Sequence, residues 1–170
     1  MKKIILAAVL ILSLCGCSEA VSAVPADVAE TYKKDFSGKV LAVFVENEAE
    51  MSISKNGMSI SFVANSPAEL EGMGIEISDE HAKVSYQGME QEIRKDSLPE
   101  GTPFLLLEEL FDELSEPDEF NLSTEDGNIV AENSDFRAVL SAEDFSPISA
   151  EFSEYDTKFT FSEWVVGAAE

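Results

Sequence analysis

The residues with the most reactive chemistry are two cysteines, one histidine and many carboxylates. Cys15 and Cys17 flank a single glycine, and His81 is the only histidine in the 170-residue chain. The sequence contains no G-x-S-x-G, no H-E-x-x-H and no phosphate-binding loop, and it has no cysteine outside this pair. Nucleophilic catalysis therefore lacks a recognisable set of residues. We predict that the protein is not an enzyme and uses no cofactor.

The carboxylates form two arrangements that could be considered as sites. Glu109 and Glu113 stand one helical turn apart, a spacing that would suit a pair for acid–base chemistry. A solvated helix face is the better interpretation, because the chain carries 34 acidic residues. Asp126-Gly127-Asn128 follows Glu125 but lacks the alternating oxygen ligands of a calcium loop. No metal site is predicted.

The N-terminal segment has the build of a secretory signal. Lys2 and Lys3 form a cationic start, and Ile4 to Leu14 is apolar except for Ser13. This apolar run is shorter than the roughly 20 residues that a helix needs to span a bilayer. We therefore interpret it as a targeting segment.

The cysteine pair itself lies in the stretch Leu14-Cys15-Gly16-Cys17. This stretch resembles the lipobox of bacterial lipoproteins, in which Leu three residues ahead and Gly or Ala just ahead precede a lipidated cysteine. The resemblance implies that residues 1–16 are removed as a signal peptide and that Cys17 carries a diacylglycerol. The protein would then be exported and anchored to the bacterial membrane on its extracytoplasmic face. The alternative, a C-x-C disulfide or metal pair, would need more thiol or histidine partners than His81 provides.

The charge balance excludes one class of partner. The net charge is −23, and removal of residues 1–16 makes it two units more negative, because Lys2 and Lys3 leave with them. An acidic chain without a basic patch does not bind nucleic acid. It is also repelled by anionic lipid surfaces, so the lipid on Cys17 would hold the protein at its membrane. An apolar content of 45% with 11 Phe predicts one ordered domain, residues 26–170, behind a tether at residues 17–25.

The hydropathy pattern predicts two helices in this domain. A short amphipathic helix begins near Pro25 and ends before Ser37-Gly38. A second has Thr102 as N-cap, Pro103 in its first turn, and Pro117 as a barrier to continuation. Its acidic face is expected to be solvated.

Period-two alternation elsewhere predicts about ten antiparallel strands, with a hairpin at Asn56-Gly57. The final stretch VVGAAE is expected to fray. The predicted fold class is α+β: a strongly curved antiparallel sheet, or open half-barrel, with about two helices in its concave face. If those helices leave a gap, adaptable methionines and bulky apolar residues would line it and suit acyl chains. The candidate cavity residues are Met51, Met58, Phe62, Met73, Met89, Leu107 and Phe111. The alternative is that the same residues pack a filled core.

The order of elements over residues 26–164 resembles the lipoprotein-carrier superfamily, which contains LolA, LolB and glycolipid-binding lipoproteins. The C-terminal strands, with Pro147, Phe159, Phe161 and Trp164, are similar to the ending of those proteins. The resemblance implies a half-barrel with a cavity for lipid or for the acyl chains of another lipoprotein. Neither of the two arginines, Arg94 and Arg137, stands in a context that matches the cavity arginine of LolA.

Two functional hypotheses follow. The first is a membrane-anchored envelope lipoprotein that binds an apolar ligand in a half-barrel cavity. The second is a non-enzymatic interaction or scaffold module with a filled core, whose acidic surface binds a basic envelope protein.

Overall fold

The computed structural model describes residues 23–45 and 47–167. Over these ranges the chain forms two helices, eleven strands and two short 3-10 turns, at Lys95–Ser97 and Ser153–Tyr155. The helices are α1 (Pro25–Tyr32) and α2 (Pro103–Leu114). The strands are β1 (Phe36–Phe44), β2 (Asn47–Asn56), β3 (Ser59–Ala64), β4 (Gly74–Ile77), β5 (His81–Tyr86), β6 (Met89–Arg94), β7 (Asn121–Glu125), β8 (Asn128–Glu132), β9 (Arg137–Leu140), β10 (Pro147–Phe152) and β11 (Thr157–Val166).

All strands of the described residues belong to one antiparallel sheet in the order β6-β5-β4-β3-β2-β1-β11-β10-β9-β8-β7. Two runs of hairpin-connected neighbours, β1 to β6 and β7 to β11, meet where β1 pairs with β11. The sheet does not close, so β6 and β7 are its two edges. The predicted fold class, an open antiparallel sheet with two helices, is confirmed.

The concave face of the sheet is covered by α2, because the apolar stripe of that helix faces the sheet. Leu106, Leu107, Leu110, Phe111 and Leu114 are all buried there. Pro103 stands at the start of the helix and the helix ends at Leu114, ahead of Pro117, as predicted. Thr102 occupies the N-cap position, but its hydroxyl makes no capping hydrogen bond.

The C-terminal strand contains an irregularity that turns an aromatic ring into the core. Phe159 and Phe161 face inward with period two, which would direct Trp164 outward. The pairing with β1 shifts between Ser37 and Lys39, and Glu163 has a positive φ of 53°. This bulge supplies the extra residue that returns Trp164 to the inner face, where its ring stacks on Phe36 at 4.5 Å.

Three local predictions are wrong. The first helix ends at Tyr32, and Phe36 begins β1, because its ring is buried against Phe111 and Trp164 on the inner face of the sheet. Val165 and Val166 do not fray but pair with β1, while residues 168–170 lie outside the described residues.

The third concerns the hairpin between β2 and β3. Asn56 pairs with Ser59, so the two-residue turn is Gly57-Met58. Gly57 takes the positive φ, and its N–H donates to Asp35. Met58, a candidate cavity residue, therefore lies in the turn and is 76% exposed.

Candidate apolar-ligand site

The centre of the concave face is a packed core. Met51, Phe62, Leu107 and Phe111, four of the candidate cavity residues, are each at most 1% exposed. Phe62 meets Phe104 edge-on at 5.7 Å between ring centroids, and Phe111 stacks on Tyr32 at 5.8 Å. The aromatic rings of α1, α2 and the sheet thus fill the space between the layers.

An open apolar hollow lies beside this core, at the edge of the sheet formed by β5 and β6. It has a volume of about 700 Å³. Its lining residues are Val84, Tyr86, Met89, Glu90, Gln91 and Ile93. This volume is in the range of pockets that bind small apolar ligands.

The geometry of the β5–β6 hairpin positions the residues that line the hollow. Gln87 and Gly88 both have positive φ, as a two-residue hairpin turn of the primed type requires. Tyr86 therefore pairs with Met89, Val84 with Gln91 and Ala82 with Ile93. Directly opposed residues share a face, so one face of the hairpin is largely apolar.

The hollow is continuous with the core on one side. Val84 and Ile93 are partly buried and pack against the core cluster, as does Met73 from the segment before β4. The hydroxyl of Tyr86 donates to the backbone carbonyl of Glu69 at 2.7 Å, which holds the tyrosine against the β3–β4 connection. Met89 is 69% exposed at the rim.

The seven candidate cavity residues thus separate into three groups. Met51, Phe62, Leu107 and Phe111 lie in the packed core, with Met73 at its margin. Met89 lines the open hollow. Met58 lies in another hairpin turn, beside a small pocket lined partly by Lys55, Asp79, Glu108 and Asp112. Sequence reasoning missed Val84, Tyr86 and Ile93 as site residues, although their alternation across the Gln87-Gly88 turn was a usable signal.

A polar hollow of about 660 Å³ occupies the opposite end of the same hairpin. Its polar lining residues are Asp79, Glu80, His81, Arg94, Lys95, Asp96 and Glu100. Arg94 pairs with Asp96, and Lys95 pairs with Glu108 of α2, so these cations are engaged within the protein. The Lys95–Glu108 contact fastens the end of β6 to the helix.

The polar face of α2 is less solvated than predicted. Glu108 is buried, and desolvation raises its pKa although Lys95 lies against it. Desolvation also raises the pKa of Glu109, Asp112 and Glu113. Glu113 accepts a hydrogen bond from Asn133 of the β8–β9 turn. The contacts of Glu108 with Lys95 and of Glu113 with Asn133 anchor the helix. Within the described residues no set of three histidine or acidic side chains converges as metal ligands would.

Cys17, the predicted lipidation site, lies outside the described residues. None of the helices in the described ranges is long and apolar enough to cross a membrane.

No protein-family model matches the chain, and no curated protein matches it either. Several solved structures are similar. An uncharacterized conserved protein from Thermus thermophilus has a TM-score of 0.56 at 10% identity, with 85% of each chain covered. A chain of the Pseudomonas aeruginosa MucA/MucB complex has a TM-score of 0.50 at 13% identity. The match covers 85% of this chain and 56% of that one. The LolA superfamily protein NE2245 from Nitrosomonas europaea has a TM-score of 0.44 at 11% identity, over 86% and 92% of the two chains.

At these identities the likeness is one of fold. The predicted fold, an open antiparallel sheet with two helices, is shared with the Thermus thermophilus protein and with the chain of the MucA/MucB complex.

Proposed function

We propose that this protein is a lipid-anchored, non-enzymatic protein of the bacterial cell envelope that binds an acyl chain in the β5–β6 hollow. The observation that carries the proposal is the hollow itself, an open apolar concavity of about 700 Å³ beside a core that is otherwise packed. An acyl chain there would cover Val84, Ile93 and the exposed Met89, and removal of that apolar surface from water favours binding. Methionine adapts its shape to a flexible chain.

The predicted anchor supports the same function. With lipid on Cys17, the folded domain would begin at Pro25, eight residues away, so an extended tether would reach at most about 28 Å. The start of the domain would then stay within that distance of the membrane, whose lipids carry suitable chains.

The test uses the exported Cys17→Ala protein and a fluorescent fatty acid. Met89→Glu places a charge in the hollow and should weaken binding at least tenfold. Met58→Glu is the matched control, because Met58 is similarly exposed and also follows a turn glycine but lies outside the hollow. Absence of binding to the unsubstituted protein, or equal losses in both variants, would contradict the proposal.

The packed centre favours a second candidate function, an envelope interaction module whose acidic surface binds a basic protein. The net charge of −23 would accelerate association with such a partner and make it sensitive to salt. In the similar MucA/MucB structure, a protein of this fold is part of a protein complex. Binding of a cationic peptide that does not weaken between low and high salt would exclude this candidate.

A further inference from the structure

The edge strand β6 presents a free hydrogen-bonding row beside the hollow. It pairs with β5 over its whole length, from Met89 to Arg94, without a register shift. Its other side has no neighbouring strand in the described sheet. Proteins commonly protect such edges with a bulge, a proline or charged side chains. β6 contains no bulge and no proline, and its charged residues are Glu90, Glu92 and Arg94.

The turn geometry shows which residues form that row. In a two-residue hairpin the flanking pair, here Tyr86 and Met89, exchanges both backbone hydrogen bonds, and the pattern alternates along the strands. Glu90, Glu92 and Arg94 therefore direct their backbone N–H and C=O groups away from β5. A strand added along this edge would bond to these three residues.

Because side chains alternate between the two faces of a sheet, the surroundings on each face determine which side chains the added strand needs. On the inner face its side chains would lie beside Met89, Gln91 and Ile93, at the open side of the hollow. On the outer face they would lie beside Glu90, Glu92 and Arg94. Both glutamates are exposed, and Glu90 is paired with Lys83 of β5 at 2.9 Å. An extended segment that alternates apolar and basic residues satisfies both faces.

Charge also decides between a foreign segment and a second copy of this chain. Pairing of two β6 strands about Glu92 would place Glu90 opposite Arg94, but it would also bring two Glu92 side chains together. Two copies each carry a net charge of −23 and repel one another. A basic partner gains from the same field.

We propose that β6 is a strand-addition site for an extended, alternating apolar and basic segment of a protein partner, whose apolar side chains enter the β5–β6 hollow. This inference rests on the second candidate function, the binding of a basic protein, and gives that interaction a location and a partner chemistry. It does not depend on the binding of an acyl chain.

The test measures binding of an acetylated peptide of four Val-Lys repeats to the full-length Cys17→Ala protein. Glu92→Pro removes an outward N–H from the edge and should weaken binding at least tenfold. Thr124→Pro is the control, because the backbone N–H of Thr124 is also directed outward, on the other edge strand, β7. Amide hydrogen exchange should show new protection at Glu90, Glu92 and Arg94 when the peptide is bound.

A charge-reversed protein, Glu90→Lys with Glu92→Lys, keeps the backbone intact and tests the chemistry separately. The unsubstituted protein should prefer the Val-Lys peptide to a peptide of four Val-Glu repeats, and this preference should shrink in the charge-reversed protein. Salt-sensitive binding that Glu92→Pro leaves unchanged would overturn the strand-addition site while the second candidate function stands. A dimer that forms without peptide and is abolished by Glu92→Pro would overturn the choice of partner.

Discussion

The ammonium group of Lys55 donates a hydrogen bond of 2.7 Å to the backbone carbonyl oxygen of Tyr32. Tyr32 is the last residue of α1, where helix carbonyls lack partners within the helix. Lys55 comes from β2, is only 9% exposed, and lies 6.0 Å above the ring of Phe36. Burial lowers its pKa, against the charges of Asp112 and Asp35. One buried side chain thus ties α1 to the sheet.

We expect Lys55→Met to lower the free energy of unfolding by about 1–3 kcal/mol, because the Tyr32 carbonyl loses its charged donor. Urea unfolding of the Cys17→Ala protein measures this loss. Lys33→Met is the control, since Lys33 is half exposed and its ion pair with Glu30 spans 3.8 Å. That change should cost less than about 0.5 kcal/mol. Equal effects would show that the contact with Tyr32 is not what stabilises α1.

The carboxylates of α2 predict how stability depends on pH. Desolvation raises the pKa of Glu108, Glu109, Asp112 and Glu113 in the folded protein, so the folded state binds protons more tightly than the unfolded chain. The stability that these four groups contribute is therefore fully present at a pH below their pKa values in the unfolded chain, about 4. It is lost as the pH rises through their higher pKa values in the folded protein. We expect the free energy of unfolding to increase as pH is lowered from 7 to 5.

Asp112→Asn should reduce that slope, because it removes one of the titrating groups from α2. Urea unfolding at several pH values measures the slope for both proteins. Asp144→Asn is a control, since hydrogen bonds from Ser146 lower the pKa of Asp144 and move its effect below its ordinary value of 3.8. A stability that falls steadily from pH 7 to 5 would contradict the raised pKa values.

Much of the fold was predictable because it depends on local patterns. Alternation identified the strands, and Pro103 and Pro117 bracketed α2. The errors occurred where two local patterns competed. Phe36 stands at helical spacing from Tyr32 but also in strand phase with Val40, and its contacts with Phe111 and Trp164 determine the outcome. These partners are far away in the chain.

The site was harder to predict than the fold. The sequence shows which residues share an apolar face, but which part of that face α2 covers depends on the three-dimensional arrangement. Phe62 and Met89 both belong to apolar strand positions, yet Phe62 lies beneath Phe104 and Met89 lies on the rim of the hollow. Whether an apolar residue of the sheet belongs to the core or to the site therefore depends on its position relative to α2.

Gly38 is needed for the close approach of Trp164 to β1. A Cβ atom at Gly38 would lie 2.6 Å from Cε3 of Trp164, whose ring stacks on Phe36 and Phe111. We expect Gly38→Ala to lower the free energy of unfolding by about 1–3 kcal/mol, because the ring must move. The fluorescence of Trp164, the only tryptophan, should change in parallel. In a Trp164→Leu protein, Gly38→Ala should lower the free energy of unfolding by less. An unchanged loss would show that it arises from the strand backbone alone.

Substitutions of the two N-terminal cysteines are expected to have opposite effects on membrane association. If Cys17 carries the lipid, Cys17→Ala should move the protein from the membrane fraction to the soluble fraction, because the net charge of −23 opposes electrostatic binding to anionic lipids. Cys15→Ala is the matched control and should leave the protein at the membrane, since Cys15 would be removed with residues 1–16. Fractionation in buffer of high ionic strength, with mass spectrometry of the mature N-terminus, measures both. Continued tight membrane association of Cys17→Ala would show that another part of the chain holds the protein there.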